Sequence, residues 1–284
     1  MTFASLLFIG IAYFLSWSVW IYSILVGETN QYLVWLAGIG PTISAMLLIA
    51  YQQGFSGVKR LFYLGWRVGS FWYFISFLGT PLVMLVSLGL HVMMGADSPQ
   101  FIDPNHMVTS LNQWPFIIVV FAYIFIFTAL GEEIGWRAYL LPRLQKSFSP
   151  FISSLLLGLV WALWHLPLFW MSDNFHQQLP ISWFLLQILG STFIYTWIFN
   201  RTRGSLLIAL LFHTSSNAAV GLLPILPLDN GGSYRPLWLT LIILWFLVFL
   251  MLWHERRLFF KKANSAHILS QTIPSTDHAT NATL

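Results

Sequence analysis

The chain has 284 residues, of which 57% are hydrophobic, 18% aromatic and only 8% charged, with a formal net charge of +4. A water-facing surface needs roughly 25% charged residues, so this composition excludes a soluble domain, a disordered chain, a collagen and a nucleic-acid-binding module, and leaves a polytopic membrane protein. The absence of cysteine excludes disulfides, a thiolate metal site, a cysteine nucleophile and a palmitoylation site.

Crossing about 30 Å of hydrocarbon takes about 20 helical residues. Eight stretches qualify: Phe3–Val26, Tyr32–Tyr51, Phe71–Met94, Trp114–Leu130, Ile152–Trp170, Trp183–Phe199, Leu206–Leu223 and Leu237–Trp253. The predicted fold is all-α, a single transmembrane helical domain over residues 1–262 with about eight membrane helices. The first stretch is too long for a signal-peptide core and no basic flank precedes it, so it reads as a retained helix. The second contains Pro41, which a membrane helix tolerates with a kink. Tyr32, Trp72, Trp114, Trp170, Trp183 and Trp253 near span ends suit interfacial anchoring, and most other aromatics read as packing or lipid-facing residues. Residues 263–284 are polar and expected to form a disordered cytoplasmic tail, where the Asn281–Thr283 sequon lies on the wrong side for glycosylation.

The basic residues set the orientation. Lys59, Arg60 and Arg67 follow the second span; Arg137, Arg143 and Lys146 the fourth; Arg201 and Arg203 the sixth; Arg256, Arg257, Lys261 and Lys262 the eighth. That places twelve of thirteen on one side, with Arg235 opposite among Glu28, Asp97, Asp103, Asp173 and Asp229. The positive-inside rule then puts both termini in the cytoplasm, of a bacterial cell membrane by expectation.

Three polar groups do not belong in apolar spans, where a central charge costs roughly 2.5 to 3.5 kcal/mol and is a functional hypothesis by default. The fourth span runs straight into Glu132 and Glu133. If the helix continues, Glu133 and Arg137 pair at i, i+4, while Glu132, rotated by about 100°, has no cation at that spacing and faces something else. A helix-end ion pair at the cytoplasmic interface is the plainer reading. In the fifth span Trp161 and His165 share a face ahead of Pro167; a lone histidine there commonly bonds a neighbouring helix. In the seventh, His213 and Asn217 lie one turn apart beside Thr214, Ser215 and Ser216, which suit tight helix packing. His165 lies 13 residues past the cytoplasmic start of its span and His213 lies 7 past its own. At 1.5 Å per residue these are depths of roughly 20 and 10 Å, so a base, two imidazoles and an amide can meet in or near the inner half of the bilayer if the fifth span begins slightly outside the hydrocarbon.

In this order, Glu132-Glu133-Ile-Gly-Trp-Arg137, Trp161-Ala-Leu-Trp-His165 and His213-Thr-Ser-Ser-Asn217 resemble the CPBP (Abi) family of intramembrane proteases, which includes the type II CAAX prenyl endopeptidases. Its signatures are Glu-Glu-x-x-x-Arg, aromatic-x-x-x-His and His-x-x-x-Asn/Asp. The first and third match fully. The second has Trp161 where Phe is usual, a change expected to leave the chemistry untouched. The resemblance covers roughly Trp114 to Leu222 and implies a CAAX-protease-like core that hydrolyses a peptide bond of a membrane-associated substrate.

Carried over by motif, the resemblance makes Glu132 the base that activates water, aided by His165. His213 and Asn217 form the oxyanion hole, and Glu133, Arg137 and Trp161 orient the site, with no cofactor and no metal. The residue chemistry agrees: a carboxylate without a cation suits proton removal, and losing one oxyanion donor typically costs about 3 to 4 kcal/mol of barrier. Other readings stay open at this point. Glu132, His165 and His213 could hold zinc, although the chain has neither His-Glu-x-x-His nor cysteine. A non-catalytic relative could bind a partner or confer bacteriocin immunity, and Glu132 with His165 could relay protons in a transporter, against which stands the lack of an internal repeat.

Overall fold

A computed structural model describes residues 1–27, 30–62, 65–97, 114–172 and 174–261, giving only the backbone of 31 and 114–116. Glu28, Asp103, Asp173, Lys262 and the tail 263–284 lie outside the described residues.

All eight apolar stretches are helical. Among the described residues six helical runs are long and apolar enough to cross a membrane, a bent pair makes a seventh, and the 17-residue helix Leu206–Leu222 is shorter. The protein is an integral membrane protein built as an all-α bundle. Its helices are α1 (Phe3–Val26), α2 (Gln31–Gly38), α3 (Gly40–Leu61), α4 (Ser70–Met93), α5 (Trp114–Tyr123), α6 (Leu130–Glu133), α7 (Leu141–Ser147), α8 (Pro150–Trp164), α9 (Ile181–Arg201), α10 (Leu206–Leu222), α11 (Arg235–His254) and α12 (Arg256–Phe260). Helix starts follow local chemistry. Ser149 and Ser205 cap α8 and α10 by accepting from the N–H groups of Ile152 and Ile208, donors that would otherwise have no partner.

The second span is broken rather than merely kinked. Its two parts, α2 and α3, meet at Ile39 with a 41° bend, and Pro41 sits in the first turn of α3, where its missing N–H costs nothing. Small residues let α1 approach this break: Ser16 Oγ donates to Ala37 O at 2.7 Å and Ser44 Oγ to Phe8 O at 2.8 Å. A Cβ on Gly40 would come within 2.3 Å of Ser16 Oγ. Close backbone approach and interhelical hydrogen bonds are how helices associate in lipid, which is as apolar as the side chains themselves.

Alternating helices gather their connections at two poles. At one, Ser205 Oγ donates to Gly65 O at 2.7 Å, Arg201 Nε donates to Glu255 at 2.9 Å, and Phe151 stacks on Phe260 at 4.9 Å. At the other, Arg235 Nη1 donates to Met94 O at 3.2 Å and Leu228 N to Gln178 Oε1 at 3.3 Å. The basic residues follow this division except Arg137, which is fully buried in the bundle and so does not belong in the loop-charge count.

Candidate active site

The first motif is enclosed, with Gly131 through Arg137 all buried. The helix does continue through the acidic pair, as a composite: wide π turns at Ile124–Ala129 and Ile134–Leu140 flank the short α6 that carries Glu132 and Glu133. Such turns insert a residue into the helical repeat and recur at functional sites. The backbone of the α2–α3 break presses on this segment. Thr42 Oγ1 donates to Leu130 O at 2.7 Å, and a Cβ on Gly135 would meet Pro41 backbone at 2.6 Å, so only glycine allows this approach.

Glu133 is held through one oxygen by two partners. Its Oε1 accepts from Arg137 Nη1 at 2.7 Å and from His213 Nδ1, 80 residues away, at 2.7 Å. The first contact is the predicted i, i+4 pair; the second carries no local sequence signal. The Arg137 guanidinium lies between two rings, 4.1 Å from the Trp161 centroid and 3.9 Å from that of Tyr195. A desolvated cation gains about 2 kcal/mol from such a face. This closed cluster fixes one nitrogen of His213 and turns the other, Nε2, toward Glu132, 3.9 Å from its Oε1. A direct hydrogen bond does not span that distance.

Glu132 has a different neighbourhood. Trp161 Nε1 donates to its Oε2 at 2.7 Å, a bond that phenylalanine could not make. The indole N–H that stands here in place of a phenyl ring therefore holds the very carboxylate in question. Glu132 also borders a cavity of about 880 Å³, shared with Trp161, His165, His213 and Asn217. The four residues of the predicted reaction centre thus line one space.

His165 owes its position to the way α8 ends. Pro167 offers no N–H, and the chain tightens into the 3₁₀ turn Leu166–Trp170. The last carbonyls of α8 must find other donors. His165 Nδ1–H donates to Trp161 O at 2.8 Å and Trp17 Nε1 of α1 to Trp164 O at 2.8 Å, while Tyr13 of α1 donates to Val160 O at 2.5 Å. A carbonyl only accepts, so the His165 proton is on Nδ1 and Nε2 keeps a lone pair.

The third motif sits on α10, buried along most of its length. Its small polar residues pack helices as the plainer reading has it: Ser215 Oγ donates to Phe77 O at 2.5 Å, and Ser216 and Thr80 share a hydrogen bond of 2.7 Å. Asn217, in contrast, is solvent-accessible on the cavity side. Among the described residues no three His, Cys, Asp or Glu side chains are grouped to hold a metal ion.

Two lining residues escape sequence reading. Tyr195 has no motif around it and contributes a ring face. His176 lies in a short 3₁₀ turn after Asn174, whose Oδ1 accepts from its Nδ1–H at 2.6 Å, and stacks 5.7 Å from His165. Several aromatics expected to be packing or lipid-facing, among them Trp20, Trp35 and Trp164, also border the cavity, as does Trp183, expected as an interfacial anchor.

A family model for "Type II CAAX prenyl endopeptidase Rce1-like" matches residues 113–219. The CAAX prenyl protease 2 of Methanococcus maripaludis is 32% identical over 157 residues, covering 53% of this chain. The chain thus spans only 56% of that relative's length. The matched segment contains all three motifs, and with them Glu132, His165, His213 and Asn217. Over that segment the chain is similar to Rce1-like CAAX prenyl endopeptidases.

Proposed function

We propose that the protein is an intramembrane endopeptidase that hydrolyses a peptide bond of a membrane-associated substrate. The observation that carries this reading is that Glu132, His165, His213 and Asn217, from three separate spans, border one cavity. Glu132 removes a proton from water as it attacks the carbonyl carbon. His165 assists through the free lone pair on Nε2, its other nitrogen being tied to Trp161 O. His213 through Nε2 and Asn217 through its amide stabilise the tetrahedral oxyanion, where preorganised donors in a water-poor site count most. Glu133 holds the His213 ring through its Nδ1, and Arg137 and Trp161 keep both carboxylates in register.

The gathering of basic residues at one pole supports a topology with both termini cytoplasmic. The relative's name speaks of CAAX prenyl substrates; a prenylated C-terminus is one substrate to try here among other membrane-bound peptides. The test compares membrane proteomes of cells making wild-type and Glu132→Ala protein. Cleaved termini that vanish with the variant support the reading, and a phenotype that survives Glu132→Ala turns it toward a non-catalytic, partner-binding role.

A further inference from the structure

Tyr195 borders the same cavity as the motif residues, from a helix that carries no motif. The cavity face of α9 runs Phe184, Gln187, Ile188, Ser191, Tyr195, at the three- and four-residue steps of one helical face, and among the described residues it ends there. Tyr195 thus stands at the inner end of that wall, its ring 5.7 Å from Trp161 and 6.2 Å from His213. It is only 2% exposed, and a tyrosine so enclosed ordinarily finds a partner for its O–H. Tyr13 and Tyr73 do so on the carbonyls of Val160 and Trp66. The Tyr195 hydroxyl has no hydrogen-bond partner among the described residues, but unlike that of Tyr123 it is not sealed into the packing. It opens on the cavity that the residue borders.

Two features fit that hydroxyl for chemistry. The Arg137 guanidinium lies against the ring face, 3.9 Å from its centroid, and a cation there draws on the electrons of the ring and makes the phenol O–H a stronger donor. The hydroxyl also stands in the field of Glu132 and Glu133 without bonding either. A phenol keeps its proton up to about pH 10, so at neutral pH it has a hydrogen to give.

We propose that Tyr195 is a further catalytic residue, whose hydroxyl donates a hydrogen bond to the carbonyl oxygen of the bond being cut. This rests on the hydrolytic reading above. As the water oxygen bonds to the carbonyl carbon, its proton passes to Glu132 and the carbonyl π pair moves onto oxygen. The growing charge then lies between donors from two helices, Tyr195 of α9 and His213 and Asn217 of α10. The hydroxyl has no competing bond to give up first, which is the preorganisation such a site needs.

The experiment uses the full-length protein in detergent micelles, a panel of apolar peptides and, for each, the analogue with a phosphinate in place of the central amide, a tetrahedral anion. Binding is read on ice from tryptophan fluorescence, and cleavage separately by mass spectrometry. Tyr195→Phe removes the hydroxyl and keeps the ring over Arg137, so its thermal midpoint should stay near that of wild type. It should lower kcat about tenfold to a hundredfold at unchanged KM and weaken phosphinate binding by a similar factor, with the parent peptide bound as before. A wild-type kcat, a change in KM alone, or a lowered kcat with phosphinate binding intact each overturns the proposal and leaves the hydrolytic reading standing. If wild type cuts no peptide, the hydrolytic reading falls, and the phosphinate still decides on Tyr195: weaker binding to Tyr195→Phe upholds the donor, and equal binding overturns it.

Discussion

Two consecutive carboxylates lead opposite lives in this bundle. Glu133 is enclosed, held by Arg137 and His213, with two aromatic rings covering the arginine. Glu132, one residue earlier, has the single indole hydrogen bond of Trp161 and a cavity in front of it. The difference follows from helical geometry, since adjacent side chains diverge by about 100°. One face of the helix can then be closed by partners while the next stays available for chemistry. A carboxylate tied to a buried cation and an imidazole is a structural brace; one at the edge of a cavity can accept a proton.

Substitutions break that comparison in graded ways. Glu132→Gln, which keeps shape and removes basicity, should lower kcat by about 10³-fold and leave the thermal midpoint in detergent near that of wild type. An equally active variant would end the hydrolytic proposal. Arg137→Met should act on the enclosed side by destabilising the protein about 3 to 5 kcal/mol, because it strands the Glu133 charge. Chemical denaturation in micelles measures this. The double variant Glu133→Leu/Arg137→Met should be milder than Arg137→Met alone, and the reverse order would mean that the ion pair itself holds the bundle.

Asn217→Ala touches the open side only. It should cost about 10²- to 10³-fold in kcat with little change in KM or stability, and a pure KM effect would reassign Asn217 to substrate binding. Trp161→Phe keeps a ring over Arg137 and deletes the N–H to Glu132. A hydrogen bond to a charged group contributes about 1.5 to 3 kcal/mol, so kcat should fall roughly tenfold or somewhat more, and an unchanged kcat would make that bond incidental.

The smallest effect belongs to an ion pair remote from both sides. Burial pushes the Glu255 carboxyl up, but the hydrogen bonds from Arg201 and Trp197 outweigh it and hold the group below the ordinary glutamate range. Its contribution to stability is present above that range and is lost as pH falls through the lowered value. Glu255→Gln should cost less than about 1 kcal/mol near neutral pH and remove that share of the acid dependence in a melting series.

Much of the fold was legible because lipid imposes a simple code of long apolar runs, and all eight runs are helices. The local pair Glu133–Arg137 was legible for the same kind of reason, as a fixed helical spacing read from the chain. What escaped depended on chain segments meeting from afar. The break at Ile39 has Pro41 nearby as its only hint, and the π turns around the acidic pair have no residue signature. The bond from His213 to Glu133 joins positions 80 residues apart, and Tyr195 came to Arg137 unannounced. Trp161 was legible as a motif position, but its hydrogen bond to Glu132 was not, because the two meet only when α8 is set against α6.

The terminal carbonyls of α8 add a point about modularity. Two of them are satisfied by Tyr13 and Trp17, residues of the first helix, which lies far outside the matched segment 113–219. An excised fragment bearing every motif would therefore leave the lower rung of its histidine-bearing helix unmoored. Transplanting the reactive half onto another scaffold would require that scaffold to bring its own pair of aromatic donors to the same spot.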